Sequence, residues 1–483
     1  MSLPCLLPIR VAPGGRYFET TDGHPFLFIG PNDAVTWPGL MGLYRRRDLD
    51  SVEAYLGDLA ASGVTVLRLM LEYVHREGRY FERRRRGGVG LAPNPEMVRL
   101  WDDLFARCEA HGLRVLLTPW DNFWMAYRWH RHPYNRINGG PADTPGDFFT
   151  REEVIKAVIN RLRFVVERWG GSGVIAAWDL FNEIHPYWGG TPQEQFEVIT
   201  RISNALRDAE QKAWGFTRLQ TVSVFGPQPD EEYEKLIFRH PCLDFATTHV
   251  YHAGAIDYPT DTVQPALSMA HWVRYALERV PPGRPYLDSE HGPIHLFNDH
   301  HRYLPEAFDD EYEQHIMWAH LASGGAGSGM RWPARHPHMT TPGMRRAYRS
   351  LARFTQLIDW RTFTPHDARS DVHLSVPGVH VFAVHDAKQA IAYLLRDDSE
   401  NPSAGQIPTS RGSLSGIRLT LRGMAPGRCR VHVWEPATGS TVTEGEYAIS
   451  LGKPDSDLGT GDTLSINVPP FQTDLALAVT RFP

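Results

Sequence analysis

Short apolar runs alternate with longer amphipathic stretches through most of the chain, and this alternation predicts parallel strands connected by helices. An apolar run of a few residues bounded by turn residues is typical of a strand buried on both faces. Helical spacing predicts helices over 50–62, 95–111, 150–169, 191–214, 262–280, 309–323 and 344–358. The predicted strands are Phe26–Gly30, Val64–Leu69, Leu113–Thr118, Val174–Asn182, Leu219–Phe225, Phe245–Tyr251, Pro285–Ser289 and Gly329–Trp332.

Local signals mark the ends of several of these elements. Thr150 and Glu153 have the spacing of a capping box, and Thr191 followed by Pro192 predicts the start of the next helix. The dipeptide Asp22-Gly23 predicts a hairpin turn ahead of the first strand. These signals agree with the boundaries that hydrophobic spacing indicates.

Eight predicted strands, with seven predicted helices between and after them, predict a (β/α)8 TIM barrel, an α/β fold. Parallel strands need crossover connections, and helices supply them here. Beyond residue 362 the pattern changes to short strands separated by Gly, Pro and Asp turns, which predicts a small C-terminal antiparallel β-sandwich. We therefore expect two domains, a barrel with an N-terminal hairpin over residues 1–362 and a β-sandwich over residues 363–483.

Composition limits the classes of partner and compartment. The chain has 483 residues and a formal net charge of −6, so its charge gives no argument for nucleic acid or an anionic membrane. It contains no apolar run of the roughly 18 residues that a membrane helix needs. Four well-separated cysteines without a CxxC pattern fit neither a disulfide framework nor a zinc cluster. Without a signal-peptide pattern at the N-terminus, we expect a cytoplasmic protein.

Two glutamates, Glu183 and Glu290, stand just past the fourth and seventh predicted strands. The carboxyl ends of barrel strands form the open face where barrel enzymes carry their chemistry. Two carboxyl groups at that face suit the hydrolysis of a glycosidic bond, in which one protonates the leaving oxygen and the other attacks or activates water. Asp179 and Asp288 are the competing carboxylates, and each lies inside its strand.

Further polar and aromatic residues fall at the same strand ends. Asn182 precedes Glu183, Arg68 lies in the second strand, and Trp332 ends the eighth. His249 and Tyr251 are two positions apart in the sixth strand, so both side chains point to one side. With these residues the chain resembles the clan A glycoside hydrolases, most closely glycoside hydrolase family 5, which includes cellulases and mannanases.

The resemblance implies a role for each of these residues. Glu183 corresponds to the general acid/base and Glu290 to the nucleophile. Asn182 would hold the sugar 2-hydroxyl, and Arg68 and Tyr251 would hydrogen-bond the nucleophile. By the same resemblance, His249 would line the site and Trp332 would form the floor beneath the reacting sugar.

Elementary chemistry agrees with these roles. Glutamates on opposite walls of a barrel can face each other at about 5 to 5.5 Å, the separation that allows a covalent glycosyl-enzyme and retention of configuration. A cationic Arg68 would keep the nucleophile ionised, although Arg68 could instead be a structural residue paired with Asp179 or Glu72. Burial against Trp178, Phe181 or Trp188 would keep Glu183 protonated.

Aromatic and histidine residues gather in the predicted loops at the barrel mouth. We expect Trp120, Asn122 and His291 to contact the substrate, since aromatic faces suit sugars and polar groups suit hydroxyls. Ordinary core packing explains at least half of the aromatic residues equally well. A zinc hydrolase is the rival mechanism, but no HExxH motif occurs, so we expect no metal and no cofactor.

The sequence thus predicts a retaining glycoside hydrolase that cleaves β-linked oligosaccharides or glycosides. A manno-configured substrate is the first choice, with gluco and galacto close. The alternatives are an α-L-arabinofuranosidase on the same scaffold and a carbohydrate-binding pseudoenzyme. Many relatives have Phe-Gly or Tyr-Gly after the nucleophile, whereas this chain has His291-Gly292, which weakens the transfer of any subfamily's sugar preference.

Overall fold

A computed structural model describes the chain in ten segments, residues 6–32, 49–72, 80–85, 90–185, 189–251, 255–293, 304–332, 340–397, 411–450 and 462–482. At its N-terminal end, β1 (Ile9–Val11), β2 (Phe18–Thr20) and β3 (Pro25–Phe26) form a small antiparallel sheet. Gly23, with φ of 90°, turns the chain between β2 and β3, so the predicted hairpin is present.

Eight parallel strands follow, each overlapping one of the eight predicted strands. They are β4 (Phe28–Ile29), β5 (Val66–Met70), β8 (Arg114–Thr118), β9 (Ile175–Asp179), β10 (Leu219–Thr221), β11 (Ala246–Val250), β12 (Tyr286–His291) and β13 (Gly327–Gly329). A separate hairpin of β6 (Glu82–Arg84) and β7 (Leu91–Pro93) lies between β5 and β8. β5 and the strands from β8 to β13 are buried along their whole length, as expected of barrel strands that are covered on both faces.

The pairing of these strands closes into a ring. β5, β8, β9 and β10 pair in parallel, as do β11 with β12 and β13 with β4. Single bridges at the carboxyl ends join the remaining neighbours: Asn32 to Arg68, Phe225 to His249, and His291 to Arg331. This is the strand order of a (β/α)8 barrel.

Helices connect the strands and cover the ring. They are α1 (Leu49–Ala61), α2 (Pro95–Ala110), α3 (Asn122–Tyr127), α4 (Asp147–Thr150), α5 (Glu152–Trp169), α6 (Pro192–Trp214), α7 (Glu231–Ile237), α8 (Gln264–Leu277), α9 (Glu306–Ala322) and α10 (Pro342–Phe354). The capping box at Thr191 is present, because its hydroxyl accepts from Glu194 N and the Glu194 carboxylate accepts in return. The box predicted at Thr150 is wrong: Thr150 ends α4, and Arg151 starts α5 without a side-chain cap.

The C-terminal part contains two antiparallel sheets. The strands are β14 (His366–Asp367), β15 (Val372–Leu374), β16 (Val379–His385), β17 (Gln389–Arg396), β18 (Ile417–Arg422), β19 (Gly427–Glu435), β20 (Ser440–Ile449), β21 (Thr463–Val468) and β22 (Asp474–Arg481). Six of them form a sheet in the order β14-β16-β17-β22-β19-β20, and β15, β18 and β21 form the other. One apolar cluster, which includes Leu419, Val431, Ile466 and Leu477, contains residues of both sheets.

The six-stranded sheet also packs against the barrel helices. Trp318 of α9 stacks on Tyr393 of β17 with ring centroids 5.7 Å apart. Trp434 of β19 donates its indole N–H to Ser350 Oγ of α10 at 3.1 Å. The apolar core is therefore continuous from the barrel into this sheet, while the division of the chain after residue 362 stays a prediction. Within the described segments, no helix has both the length and the apolar character that crossing a bilayer requires.

Candidate active site

The two predicted catalytic glutamates lie together at the carboxyl ends of β9 and β12. Glu183 follows the end of β9 by four positions, and Glu290 is the last residue but one of β12. Both side chains are nearly buried, with 6% and 5% of the residue surface exposed. One oxygen of each carboxyl group lies within 4.8 Å of the other. The barrel therefore brings together two carboxyl groups that are more than a hundred positions apart in the sequence.

Arg68 in β5 donates hydrogen bonds to three side chains in and beside the glutamate pair. Its guanidinium donates to Glu290 Oε2 at 2.9 Å, to Asp179 Oδ2 at 2.6 Å and to Asn182 Oδ1 at 2.7 Å. All four side chains are buried, so these charge-assisted hydrogen bonds are strong and fix their geometry. Arg68 is thus both a structural partner of Asp179 and a contact of Glu290, and Asp179 is occupied in holding Arg68.

Glu290 accepts hydrogen bonds on both of its oxygens. Oε2 accepts from Asn32 Nδ2 at 2.8 Å as well as from Arg68, and Oε1 accepts from the Tyr251 hydroxyl at 2.7 Å. The pKa of Glu290 lies above its ordinary value, because burial and the nearby Glu183 charge raise it more than His249, the Arg68 charge and the Tyr251 hydrogen bond lower it. The three donors favour the ionised form that a nucleophile needs.

Glu183 has a different environment. Burial raises its pKa to about 7, the nearby Arg68 charge opposes the rise, and Asp179 adds to it. Its Oε1 lies 2.7 Å from His249 Nδ1, and burial lowers the pKa of His249 to about 4, so that the imidazole is neutral near pH 7. The two glutamates therefore have different hydrogen-bond partners, three donors at Glu290 and a neutral imidazole at Glu183, while burial raises the pKa of both.

The backbone at Glu183 is also unusual. Its φ of 51° lies in the left-handed region, which a residue with a Cβ rarely adopts, and its N–H donates to Ser223 Oγ at 3.1 Å. Such conformations persist where surrounding structure holds them, often at functional sites. Trp178 does not cover Glu183 as predicted, because its indole donates to Glu210 of α6 at 2.9 Å, and Trp188 lies outside the described residues.

Aromatic rings stand beside the nucleophile. Trp332 lies edge-on to Tyr251 with ring centroids 6.4 Å apart, and its role as the floor of the site stays a prediction. Phe225, which follows β10, stacks on Tyr251 with ring centroids 6.0 Å apart and is 53% exposed. An exposed ring beside a buried acid pair offers an apolar face to a ligand. Phe225 was not among the predicted site residues, although its position at the end of the fifth predicted strand was a usable signal.

Two other predicted contacts lie elsewhere. The Trp120 ring is buried, with the Arg161 guanidinium 3.4 Å above its centroid, so it forms part of the core behind β8. The His291 ring is engaged by Asp288 at 2.6 Å and by Glu313 of α9 at 3.4 Å, and these charges raise its pKa to about 9 against the effect of burial. Both side chains are therefore held by partners other than the glutamate pair.

Two buried asparagines, Asn122 and Asn32, differ in their relation to the glutamate pair. Asn122 begins α3 and is buried, and its amide makes no hydrogen bond to another described residue. Its neighbour Asp121 accepts from Asn182 at 3.3 Å, so Asn122 lies one position from the site network. Asn32, a direct donor to Glu290, was missed, because a lone asparagine after a short strand carries no distinctive sequence signal.

Three of these side chains also have the arrangement of metal ligands. Glu183, His249 and Glu290 each offer one ligand atom, and these atoms lie within 4.8 Å of one another. However, the permanent positive charge of Arg68 stands 2.9 Å from Glu290 Oε2 and would repel a divalent cation at the same carboxylate. The donor set alone fits a metal, whereas the full site favours an ion pair with Arg68.

Comparisons with known proteins agree with the expected family. The chain is 24% identical over 169 residues to a probable mannan endo-1,4-beta-mannosidase A from Aspergillus niger, covering 34% of this chain and 41% of that protein. It is 26% identical over 174 residues to the mannan endo-1,4-beta-mannosidase A of Aspergillus aculeatus, covering 35% and 43%. The resemblance to glycoside hydrolase family 5 is confirmed. The matches span less than half of the length of these relatives, and no protein-family model matches the chain.

Solved structures of family 5 share the fold. A family 5 glycoside hydrolase from Bacteroides vulgatus superimposes with a TM-score of 0.63 at 13% identity, covering 98% of this chain and 93% of that one. A family 5 mannosidase mutant from Rhizomucor miehei in complex with mannosyl-fructose gives 0.52 at 16% identity, covering 72% and 98%. At these identities the comparison establishes a common fold.

Proposed function

We propose that this chain is a retaining glycoside hydrolase that cleaves β-linked, manno-configured oligosaccharides or glycosides. The observation that carries the proposal is the approach of Glu183 and Glu290 to within 4.8 Å across the barrel mouth. Retaining enzymes hold their two carboxyl groups about 5 to 5.5 Å apart, whereas inverting enzymes leave about 6.5 to 9.5 Å for a water molecule. The short separation favours the retaining mechanism.

In the first step, the Glu290 carboxylate attacks the anomeric carbon and forms a glycosyl ester. The bond from that carbon to the leaving oxygen breaks, and the proton of Glu183 passes to this oxygen. In the second step, the Glu183 carboxylate takes a proton from water while the water oxygen attacks the anomeric carbon and Glu290 is released. The pKa of about 7 for Glu183 suits both roles, because the group can hold and release a proton near neutrality.

The choice of sugar rests on the relatives. Curated relatives are named as mannan endo-1,4-beta-mannosidases, and a structural relative is named as a mannosidase. The gluco and galacto configurations remain the comparison sugars. A pseudoenzyme is disfavoured, because both glutamates are present with separate hydrogen-bond environments that suit an acid and a nucleophile.

The test is a panel of aryl glycosides that differ only in the sugar: β-mannoside, β-glucoside, β-galactoside and α-L-arabinofuranoside. We expect the highest kcat/KM on the β-mannoside, with the β-anomer as the first product seen by NMR. Appearance of the α-anomer first would refute the retaining mechanism. Absence of turnover on every member of the panel would refute the proposed sugar class.

Variants of the two glutamates test the assigned roles. Glu290→Gln should abolish turnover, and azide should restore activity to Glu290→Gly with an inverted glycosyl azide as product. Glu183→Ala should keep activity only on substrates with good leaving groups, since these need no proton. Glu197→Gln is the matched control, because Glu197 is an exposed glutamate of α6. Full activity of Glu290→Gln would remove the assignment.

Chelation separates this mechanism from a zinc hydrolase. EDTA should leave the initial rate on the aryl glycoside unchanged at a temperature well below the melting temperature. A large loss of rate that zinc restores would favour a metal bound by Glu183, His249 and Glu290.

A further inference from the structure

A second group of ligand-type side chains lies outside the barrel. His366 of β14 and His385 of β16 are directly paired across these antiparallel strands, so their side chains stand on the same face. Their rings are 4.3 Å apart. Asp371, from the turn before β15, places its Oδ2 3.2 Å from His385 Nε2 and 3.7 Å from His366 Nε2. The three ligand atoms all lie within 4.8 Å of one another.

The hydrogen bond on the other side of His385 fixes which nitrogen carries the proton. His385 Nδ1 lies 3.1 Å from the Asp386 backbone oxygen, and a carbonyl oxygen can only accept, so Nδ1 is the donor. His385 Nε2 then points at the Asp371 carboxylate, 3.2 Å from Oδ2, so either a proton or a metal ion can join the two atoms. Histidines that bind metals commonly donate their second N–H to a backbone carbonyl in this way.

The spacing matches a particular class of metal. With zinc–nitrogen and zinc–oxygen distances of about 2.0 to 2.1 Å, ligand atoms in a tetrahedral site are about 3.3 Å apart. The observed separations of 3.2 and 3.7 Å bracket this value. Two imidazoles and one carboxylate suit zinc and its neighbours in the periodic table, whereas magnesium and calcium prefer oxygen ligands throughout.

The three side chains differ in exposure, so an ion can reach the cluster from solvent and contact a buried histidine. The His385 side chain is 1% exposed, Asp371 is 32% exposed, and His366 is 60% exposed, so the cluster opens toward solvent on one side. Gly423, with φ of 85°, makes room for the His385 ring, since a Cβ there would lie 2.8 Å from Cε1. Only the outer ligand, His366, is freely accessible.

We propose that His366, Asp371 and His385 form a binding site for a zinc-class divalent ion. The ion joins β14, the edge strand of the six-stranded sheet, to the turn that leads into the second sheet. This site is separate from the glutamate pair, and its assignment does not depend on the proposed hydrolase activity.

The test uses the metal-free full chain and zinc sulfate as the probe. Equilibrium dialysis followed by elemental analysis should find one zinc per chain, and cobalt should give the visible absorption of a tetrahedral site. His366→Gln and Asp371→Asn should each weaken binding by more than about tenfold. His373→Gln is the control, because His373 is an exposed histidine of the adjacent β15, and it should retain the bound zinc.

Three outcomes would overturn the proposal. They are no zinc bound by the wild type, one zinc still bound by both site variants, and loss of the zinc in Glu183→Gln, which would place the ion at the glutamate pair. Thermal unfolding gives a second readout. Zinc should raise the melting temperature of the wild type and not that of His366→Gln, and an equal rise in both would contradict the site.

Discussion

The hydrogen bond from Asn32 to Glu290 provides a quantitative test of how the site keeps its nucleophile ionised. Asn32 Nδ2 donates to Oε2 at 2.8 Å, and both side chains are buried. Asn32→Ala removes one of three donors while Arg68 and Tyr251 remain. Glu290 attacks only as a carboxylate, and the loss of a donor favours its protonated form. On lowering the pH, the variant should therefore lose activity at a higher pH than the wild type does.

The size of this effect follows from the strength of the hydrogen bond. A hydrogen bond to a charged group contributes about 1.5 to 3 kcal/mol, and one pH unit corresponds to about 1.4 kcal/mol, so the acidic limb of kcat/KM should move upward by about one to two pH units. At a pH well below both limbs, kcat/KM should therefore be about tenfold to a hundredfold lower than in the wild type, and near the new limb the difference should be about twofold. Above the limb the two proteins should have similar rates.

The assay is the pH profile of kcat/KM on the aryl glycoside that the panel identifies as the best substrate. Asn94→Ala is the control. Asn94 Oδ1 caps α2 by accepting from Glu96 N at 3.2 Å, and its loss should reduce stability by about 1 kcal/mol without moving the acidic limb. A folded Asn32→Ala protein with an unchanged acidic limb would refute the reasoning that Asn32 helps to keep Glu290 ionised.

Burial raises the pKa of Glu183 to about 7, so Glu183 loses its acid proton as the pH rises through this value. For a substrate with a poor leaving group, kcat/KM should therefore fall above about pH 7. The same fall with a dinitrophenyl glycoside, whose leaving group needs no proton, would contradict this role. Phe225→Ala should raise KM several-fold while kcat changes little, and steady-state kinetics with an unchanged KM would show that its exposed ring is not a sugar contact. Arg161 pairs with buried Glu72 at 2.7 Å and with buried Glu82 at 2.6 Å. Arg161→Met should lower the free energy of unfolding by about 3 to 5 kcal/mol in urea denaturation, and a loss below about 1 kcal/mol would contradict this.

The fold could be predicted in outline because most buried strands are recognisable as short apolar runs in the local sequence. The run Val66–Met70 is apolar apart from Arg68 and is fully buried, as predicted. Predictions were least accurate where neighbours decide the structure. β13 is Gly-Ser-Gly and begins two positions before the predicted strand, because its pairing with β4 sets its place rather than its weak strand propensity.

The site was predicted in part, and the errors have physical causes. Adjacent residues of a strand point to opposite sides, so Glu290 faces the barrel mouth while His291 faces α9 and its carboxylate, Glu313. Sequence position placed both residues at the same strand end without distinguishing their directions. Trp120 was expected in the mouth for the same reason, and its ring is covered by Arg161.

The sequence by itself determined the order of strands and helices, the presence of two glutamates at strand ends, and the supporting Arg68, His249 and Tyr251, because apolar periodicity and residue type are local properties of the chain. Only the tertiary structure decided that Asn32 meets Glu290 across 258 positions and that Glu183 has a pKa of about 7. Desolvation and hydrogen bonding depend on every neighbour in space, and the closing of the barrel selects those neighbours from distant parts of the chain.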